Sequence, residues 1–316
     1  MIQSAMHARL RDLFYTDRET YRREKHVIQR DYNWDGAMAD RHSDVLPQLL
    51  DCPRMKYKPR EYRCCSVVHS GQRKLQLSEL PLLLESEPGD LVVYAGAAPG
   101  DHLAKLARWF PSLEFHLYDP RSFSPKLYPC PNVKLCPYES PGNPLGFFDD
   151  HLAEYYARGH SPRPGQRLLF VSDIRQHRPT EEQVRQNMLD QQRWVRTMKP
   201  ELSMLKFRFP FGDIEPWNYL DGDLYLPVWG RPSTTECRLL VAKEQAEARG
   251  KTYDPIAHEE QMMYFNHVTR ITTYNYEPNY GYCCCFDCCS EQYWLQRLAE
   301  KIHRPLSDLI RAMNER

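Results

Sequence analysis

The stretch Leu91-Val92-Val93-Tyr94-Ala95-Gly96-Ala97-Ala98-Pro99-Gly100-Asp101 decides the fold. A compact β-branched run closed by small residues predicts a buried strand that enters a tight turn. Helical spacing from Asp101 to Phe110 places the free N–H groups of a helix N-terminus just beyond that turn. Glu114 to Asp119 then alternates and ends on a carboxylate, predicting a second strand. Val133–Cys136, Arg167–Asp173, Ser203–Phe209, Leu224–Trp229 and Glu236–Ala242 predict further strands. Thr180 to Met198 predicts a helix opened by a Thr180/Gln183 capping box. Strands alternating with helices imply an α/β protein with a mostly parallel sheet covered by helices on both faces.

Outward from this centre the pattern changes. Gly71 to Leu84 predicts one helix, with Leu75, Leu77, Leu80, Leu83 and Leu84 on one face. Residues 1–70 read as a partly irregular extension carrying an amphipathic helix over Asp17–Asp31. Residues 276–316 read as a C-terminal helical extension, with a helix over Glu291–Asn314. The α/β domain is expected over residues 71–275.

Composition narrows the class. The 316 residues carry 42 Lys/Arg and 42 Asp/Glu, so formal charge is zero, and mean hydropathy is −0.69. That balance predicts a soluble globular protein. The aliphatic run Leu82-Leu83-Leu84 falls far short of the roughly 20 apolar residues of a membrane span. The first residues, MIQSAMHARLRDLFYTDRE, lack an apolar core of signal-peptide length, so no export and no membrane association are expected. Five of the 11 cysteines crowd into Cys283-Cys284-Cys285-Phe286-Asp287-Cys288-Cys289. Reduced thiols are the default without export. Ligands bunched in this way do not make the usual two-pair tetrahedral metal site; a buried cysteine-lined helix and no metal are expected.

Neutrality overall hides local polarity. Residues 1–75 hold 15 Lys/Arg against 10 Asp/Glu, residues 161–210 hold 10 against 5, and residues 211–260 hold 5 against 10. The stretch Arg54-Met55-Lys56-Tyr57-Lys58-Pro59-Arg60-Glu61-Tyr62-Arg63 interleaves bases with aromatics. Such segregation suits an anionic ligand crossing one face, and equally an ordinary solvated surface.

In an open α/β sheet, ligands sit at the carboxyl ends of the strands where strand order reverses. Gly96 and Gly100 allow a tight turn and close approach of backbone. Asp119, 23 residues on, can accept both ribose hydroxyls of a nucleoside. A dinucleotide turn reads GxGxxG, but here Ala98 stands in place of the second glycine, followed by Pro99. A nucleoside cofactor without a phosphate, S-adenosylmethionine (AdoMet), suits the turn better. A dinucleotide and a merely structural glycine turn remain the alternatives at this point.

Four ionisable residues stand in informative places. Lys74 lies on the helix before the first strand, Asp173 ends the fourth, Lys206 lies within the fifth and Glu236 opens a late one. Each taken singly reads as a surface ion pair. Three of them interrupt apolar strand segments, however, where isolated charge is costly. Methyl transfer to a ribose hydroxyl needs that hydroxyl activated and held in line with a sulfonium methyl. A lysine serves as base when its pKa falls from about 10.4 towards 7–8. Desolvation and the cation Lys74 push in that direction, and Asp173 and Glu236 push against it.

Six short motifs occur in register: Gly71-Gln72-Arg73-Lys74-Leu75, Val93 to His102, Tyr118-Asp119-Pro120-Arg121, Val171 to Arg175, Leu205 to Asp213, and Glu236 to Leu240. Together, over residues 55–275, they resemble the poxvirus cap-specific mRNA (nucleoside-2′-O-)methyltransferase family, whose members also serve as the small processivity subunit of the viral poly(A) polymerase. The resemblance implies a Rossmann-like AdoMet-dependent methyltransferase fold and Lys74, Asp173, Lys206 and Glu236 as a catalytic tetrad. It implies AdoMet contacts from Gln72, Tyr94, Gly96, Ala98, Pro99, Gly100, Asp119, Arg121 and Asp173. It implies cap stacking by Phe211 and Tyr57, recognition of methylated guanine by Asp213 and Glu259, and an RNA path along Arg208, Phe209, Pro210, Phe211, Thr234 and Thr235. Aromatic faces and carboxylates prefer the cationic methylated base for a general physical reason. Pro120 stands where the family has glycine, and the cysteine-rich run is foreign to it.

The expected activity is therefore AdoMet-dependent methylation of the first transcribed nucleotide of capped mRNA at its ribose 2′-hydroxyl. The alternatives are an RNA-binding processivity subunit of a poly(A) polymerase and a ribosomal-RNA-type 2′-O-methyltransferase. Expected partners are capped mRNA and a poly(A) polymerase catalytic subunit, in the host cytoplasm or virion of a large DNA virus.

Overall fold

The computed structural model describes residues 2–31, 53–57, 69–141, 146–160, 165–272, 274 and 280–315. The basic-aromatic stretch beyond Tyr57 lies outside the described residues. The chain forms two compact units. One comprises Met1–Ser78, Leu226–Thr235 and Ala257–Arg316, and the other Glu79–Tyr225 and Glu236–Ile256.

Among the described residues the second unit has nine strands: β1 (Leu91–Ala95), β2 (Glu114–Tyr118), β3 (Val133–Leu135), β4 (Leu168–Ser172), β5 (Leu202–Phe207), β6 (Trp217–Tyr219), β7 (Asp223–Tyr225), β8 (Cys237–Ala242) and β9 (Lys251–Tyr253). Seven form one sheet in the order β3-β2-β1-β4-β5-β8-β7; β6 and β9 pair separately. β1 to β5 are mutually parallel, and β8 runs antiparallel to both β5 and β7. The chain leaves β1 towards β2 on one side and enters β4 and β5 on the other. Right-handed crossovers therefore carry the Asp101–Trp109 and Glu181–Met198 helices to opposite faces. This is the expected Rossmann-like α/β architecture. All five residues of β1 and of β2 are buried, as expected for strands covered on both sides.

Local differences have physical causes. The expected helix over Gly71–Leu84 is two helices, Gly71–Ser78 and Leu80–Leu84. Pro81 cannot donate to the Leu77 carbonyl and its ring crowds that turn, so the helix breaks one turn earlier. The break sets Glu79 at 2% exposure, where it accepts the Tyr94 hydroxyl at 2.7 Å and meets His102 Nε2 at 2.9 Å. The strand expected over Leu224–Trp229 is only Asp223–Tyr225, with Pro227 just beyond it. The expected C-terminal helix divides into Phe286–Ile302 and Leu306–Asn314, separated by left-handed His303 and by Pro305. The Thr180/Gln183 capping box is present as read.

The first unit is organised by two buried ion pairs. The Arg73 guanidinium bonds Glu291 through Nε at 2.7 Å, and Trp229 Nε1 donates to the same carboxylate at 2.5 Å. Arg270 meets Asp287 at 3.1 Å and the Gly230 carbonyl at 3.0 Å, and Asp287 also accepts the Trp229 backbone N–H at 2.7 Å. Each buried charge thus has a counter-charge and hydrogen bonds, which burial requires. Among the described residues no helix is long and apolar enough to cross a membrane.

Candidate active site

Strand order reverses between β1 and β4, and both strands end at this point. The Asp173 N–H donates to the Ala95 carbonyl at 2.9 Å, drawing the exit of β4 against that of β1. Gly96 follows at φ +82°, and a Cβ there would lie 2.8 Å from Asp173 C and Ile174 N. No side chain fits, so glycine is required by both conformation and space. Gly100 caps the following helix at φ +77°.

Asp119 closes β2 and turns back over the same turn. Its Oδ2 accepts the Ala98 N–H at 3.0 Å, and Oδ1 accepts the Arg121 N–H at 2.9 Å. The Arg121 side chain adds Nε at 3.0 Å and Nη2 at 2.9 Å. All four acceptor positions of the carboxylate are thereby filled. The arginine side chain is 64% exposed, so it is the ligand able to swing away. A cleft of about 750 Å³ opens beside these residues, lined among others by Gly96, Asp119, Arg121, Phe148, Asn187 and Trp194. Its size is ordinary for a small-molecule site. A glycine cradle, a carboxylate releasable by one exposed side chain and a part-apolar cleft fit a nucleoside.

Beside the turn, β4, β5 and β8 bring three of the four expected ionisable residues together. Lys206 Nζ lies 3.0 Å from Asp173 Oδ1 and 3.9 Å from Glu236 Oε2, and donates to the Asp173 carbonyl at 3.3 Å. Lys206 is 7% exposed. The fourth, Lys74, lies on the Gly71–Ser78 helix of the first unit, with Gln72.

Sequence reading gave no role to Arg238, yet the structure sets it in the cluster. It stands opposite Lys206 in the β5–β8 register. Its Nη2 meets Asp173 Oδ1 at 2.6 Å, and its Nη1 lies 3.7 Å from Glu236. Burial would weaken its hold on the proton, but Asp173 and Glu236 overturn that and raise it above the ordinary arginine value. Like charges directly opposite on adjacent strands repel, and Asp173 bridges them. Arg175 lies within electrostatic reach of Glu236, Asp173 and Arg238 as well, though burial lowers its own pKa most. The legible signal was an arginine two residues after Glu236 in an apolar strand.

The remaining expected site residues divide between the units. In the second, Arg208 lies 4.5 Å over the Phe211 ring and pairs with Glu181 at 3.0 Å, and the same carboxylate accepts the Phe211 N–H at 2.8 Å. Phe211 is 38% exposed. Asp213 accepts from Arg185 at 2.6 Å and from Trp217 Nε1 at 2.8 Å, and borders a groove with Ile214 and Trp217. Phe209 and Pro210 are buried, with the Phe209 ring against Phe207, Trp217 and Tyr253. Tyr94 is buried too; burial first, then Glu79, pushes its hydroxyl well above the ordinary range. In the first unit the Tyr57 hydroxyl donates to the Ser233 carbonyl at 3.4 Å. Thr234 and Thr235 offer their carbonyls to Asn266 and His258 at 2.8 and 2.9 Å, and Glu259 follows His258 on the Pro255–His267 helix.

The family model described as the poly(A) polymerase regulatory subunit matches residues 54–299. This chain belongs to that family. It is 29% identical over 220 residues to the cap-specific mRNA (nucleoside-2′-O-)-methyltransferase of myxoma virus strain Lausanne, covering 64% of this chain and 62% of that protein. It is also 29% identical over 233 residues to the protein of the same name from fowlpox virus strain NVSL, covering 67% and 72%. The chain thus spans about 62% of the length of the myxoma virus relative. Among solved structures it is similar to the capping protein VP4 of bluetongue virus, with a TM-score of 0.42 and 11% identity, covering 78% of this chain and 42% of that one.

Proposed function

We propose that this family member is an AdoMet-dependent, cap-specific mRNA 2′-O-methyltransferase acting on the first transcribed nucleotide of capped RNA. The observation that carries this reading is the Lys206–Asp173–Glu236 cluster set beside the Gly96 turn and Asp119. Bound at that turn, AdoMet supplies an electrophilic methyl on a sulfonium. Asp119 accepts the ribose hydroxyls once Arg121 swings aside, and the Gly96–Gly100 turn lets backbone approach. Asp173 and Glu236 hold the Lys206 amine from two directions. Arg238 takes Asp173 Oδ1 and so competes with Lys206 for that charge, and the Lys206 amine is the group assigned to the 2′-hydroxyl proton. Lys74 and Gln72 complete the set by resemblance.

Cap specificity is assigned to Phe211, Asp213, Tyr57 and Glu259. Phe211 supports this best: its ring is 38% exposed and already carries the flat Arg208 guanidinium 4.5 Å over it, the kind of contact a cationic methylated base makes. Arg208 and Thr234 are assigned to the RNA path, whereas Thr235, expected there, is only 2% exposed and lies within; Phe209 and Pro210 hold Phe211 from within. The test offers labelled AdoMet with capped RNA and with uncapped RNA of the same sequence. Methylation of the capped RNA alone is expected; equal rates on both would reject cap recognition and favour a ribosomal-RNA-type enzyme.

The family match supports a second role, as the processivity partner of a poly(A) polymerase catalytic subunit. The two roles are compatible, because segregated basic segments serve RNA binding in either. Both roles suit the host cytoplasm or the virion of a large DNA virus, as the resemblance implies.

A further inference from the structure

The cysteine-rich run opposes the expectation drawn from its spacing. Cys283, Cys284 and Cys285 precede the helix, which begins at Phe286, and Cys288 and Cys289 fall in its first turn. The change from extended to helical backbone folds three sulfurs onto one spot. The Cys283, Cys285 and Cys288 thiols all lie within 4.8 Å of one another, with Cys283 and Cys288 sulfurs 3.5 Å apart. All three are buried. Zinc–sulfur bonds of about 2.3 Å at tetrahedral angles set sulfurs roughly 3.8 Å apart, so sub-ångström side-chain shifts would complete the set.

Two further groups face this nest from the Arg18–Asp31 helix. Lys25 is 3% exposed, with its Nζ 2.7 Å from Cys285 Sγ and 3.5 Å from Cys283 Sγ. Tyr21 is fully buried, and among the described residues its hydroxyl has no hydrogen-bond partner, although it lies within electrostatic reach of Lys25 and the three thiols. A buried hydroxyl left unpaired is costly and points to a ligand. The helix spacing of Tyr21 and Lys25, four residues apart, puts both on one face.

We propose that Cys283, Cys285 and Cys288 form a binding site for a thiophilic divalent cation of the zinc class. The three thiolates are the ligands, the Tyr21 hydroxyl faces the fourth position, and the Lys25 ammonium is the outer counter-charge donating to sulfur. Binding forms three metal–sulfur bonds, and any proton still on a thiol passes to solvent. Three thiolates, a divalent cation and one ammonium sum to zero, which a buried site needs. Cys284 is only partly buried, and Cys289 points to the Cys283 carbonyl at 3.9 Å; neither is a ligand. The site would fasten the start of the Phe286–Ile302 helix to the Arg18–Asp31 helix.

The test uses the reduced full-length chain, stripped with a chelator and titrated with Co²⁺ and then Zn²⁺. One Co²⁺ per chain is expected, with a thiolate-to-cobalt charge-transfer band that one equivalent of Zn²⁺ removes. The triple variant C283S/C285S/C288S should lose binding by more than 100-fold, and Y21F should weaken it about tenfold with the band retained. Should the triple variant fail to fold, differential alkylation of the natural chain with and without Zn²⁺ decides: Cys283, Cys285 and Cys288 should gain protection together. Absence of the charge-transfer band, protection of other cysteines, or a Cys283–Cys288 disulfide in place of metal uptake would overturn the proposal.

Discussion

Arg238→Gln tests the physics of the charged cluster. The guanidinium meets Asp173 at 2.6 Å and is almost wholly buried. Two unit charges 4 Å apart interact by about 4 kcal/mol at an effective dielectric of 20. Asp173 keeps Lys206 at 3.0 Å, and the loss of one buried cation relieves its desolvation and its repulsion of Lys206. The net cost should therefore fall to about 2–3 kcal/mol, below the 3–5 of an orphaned buried charge. That corresponds to a melting temperature lower by roughly 5–10 °C. Lys206 would then be free of repulsion from the guanidinium opposite it and would hold its proton more tightly. The acidic limb of the pH–rate profile for methyl transfer should move to higher pH, by about one unit per 1.36 kcal/mol of lost repulsion. Arg238→Lys keeps the charge and should leave the limb in place, with stability partly restored. Calorimetry and initial rates between pH 6 and 10 read both effects. An unchanged melting temperature and an unchanged profile in R238Q would refute the reasoning.

Other changes test separate parts of the molecule. Gly96→Ala forces a Cβ to within 2.8 Å of the Asp173–Ile174 peptide at positive φ, so urea unfolding should show a loss of about 2–5 kcal/mol and AdoMet binding should fail in calorimetry. Burial pushes His258 down to about 4. A group whose folded value is depressed from about 6.5 gives stability that is complete above pH 6.5 and lost as pH falls towards 4, here about 3 kcal/mol. Burial lowers His69 to about 4 as well, so its contribution has the same sign. Denaturant midpoints should fall from pH 7 to pH 4.5, and His258→Gln should flatten that slope; a slope of opposite sign would contradict the assignment.

Much of the fold could be read from residues because the informative strands are continuous apolar runs. Leu91–Ala95 and Leu168–Ser172 lie at the sheet centre, where both faces demand apolar side chains. β6 and β9 went unread because strands of three residues acquire their identity from each other, through the Trp217–Tyr253 pairing, and show no period of their own. The break at Glu79 was encoded in Pro81, but the leucine periodicity across it masked the signal. In the site, Asp173, Lys206 and Glu236 stood out as charges in apolar strands. Arg238 was equally visible, but its role depends on a cross-strand register that only pairing defines. The three sulfurs were likewise visible as residues, whereas their convergence depends on where the helix begins, and Lys25 is some 260 residues away in the chain.

The most direct test of the central claim replaces Lys206 with Ala and follows labelled methyl from AdoMet to capped RNA, with poly(A) tail elongation measured in parallel. Methyl transfer should fall by at least 10²-fold, as expected for loss of a positioned proton acceptor, while AdoMet still binds and tail elongation is untouched. Methyl transfer at the natural rate in this variant would contradict the account.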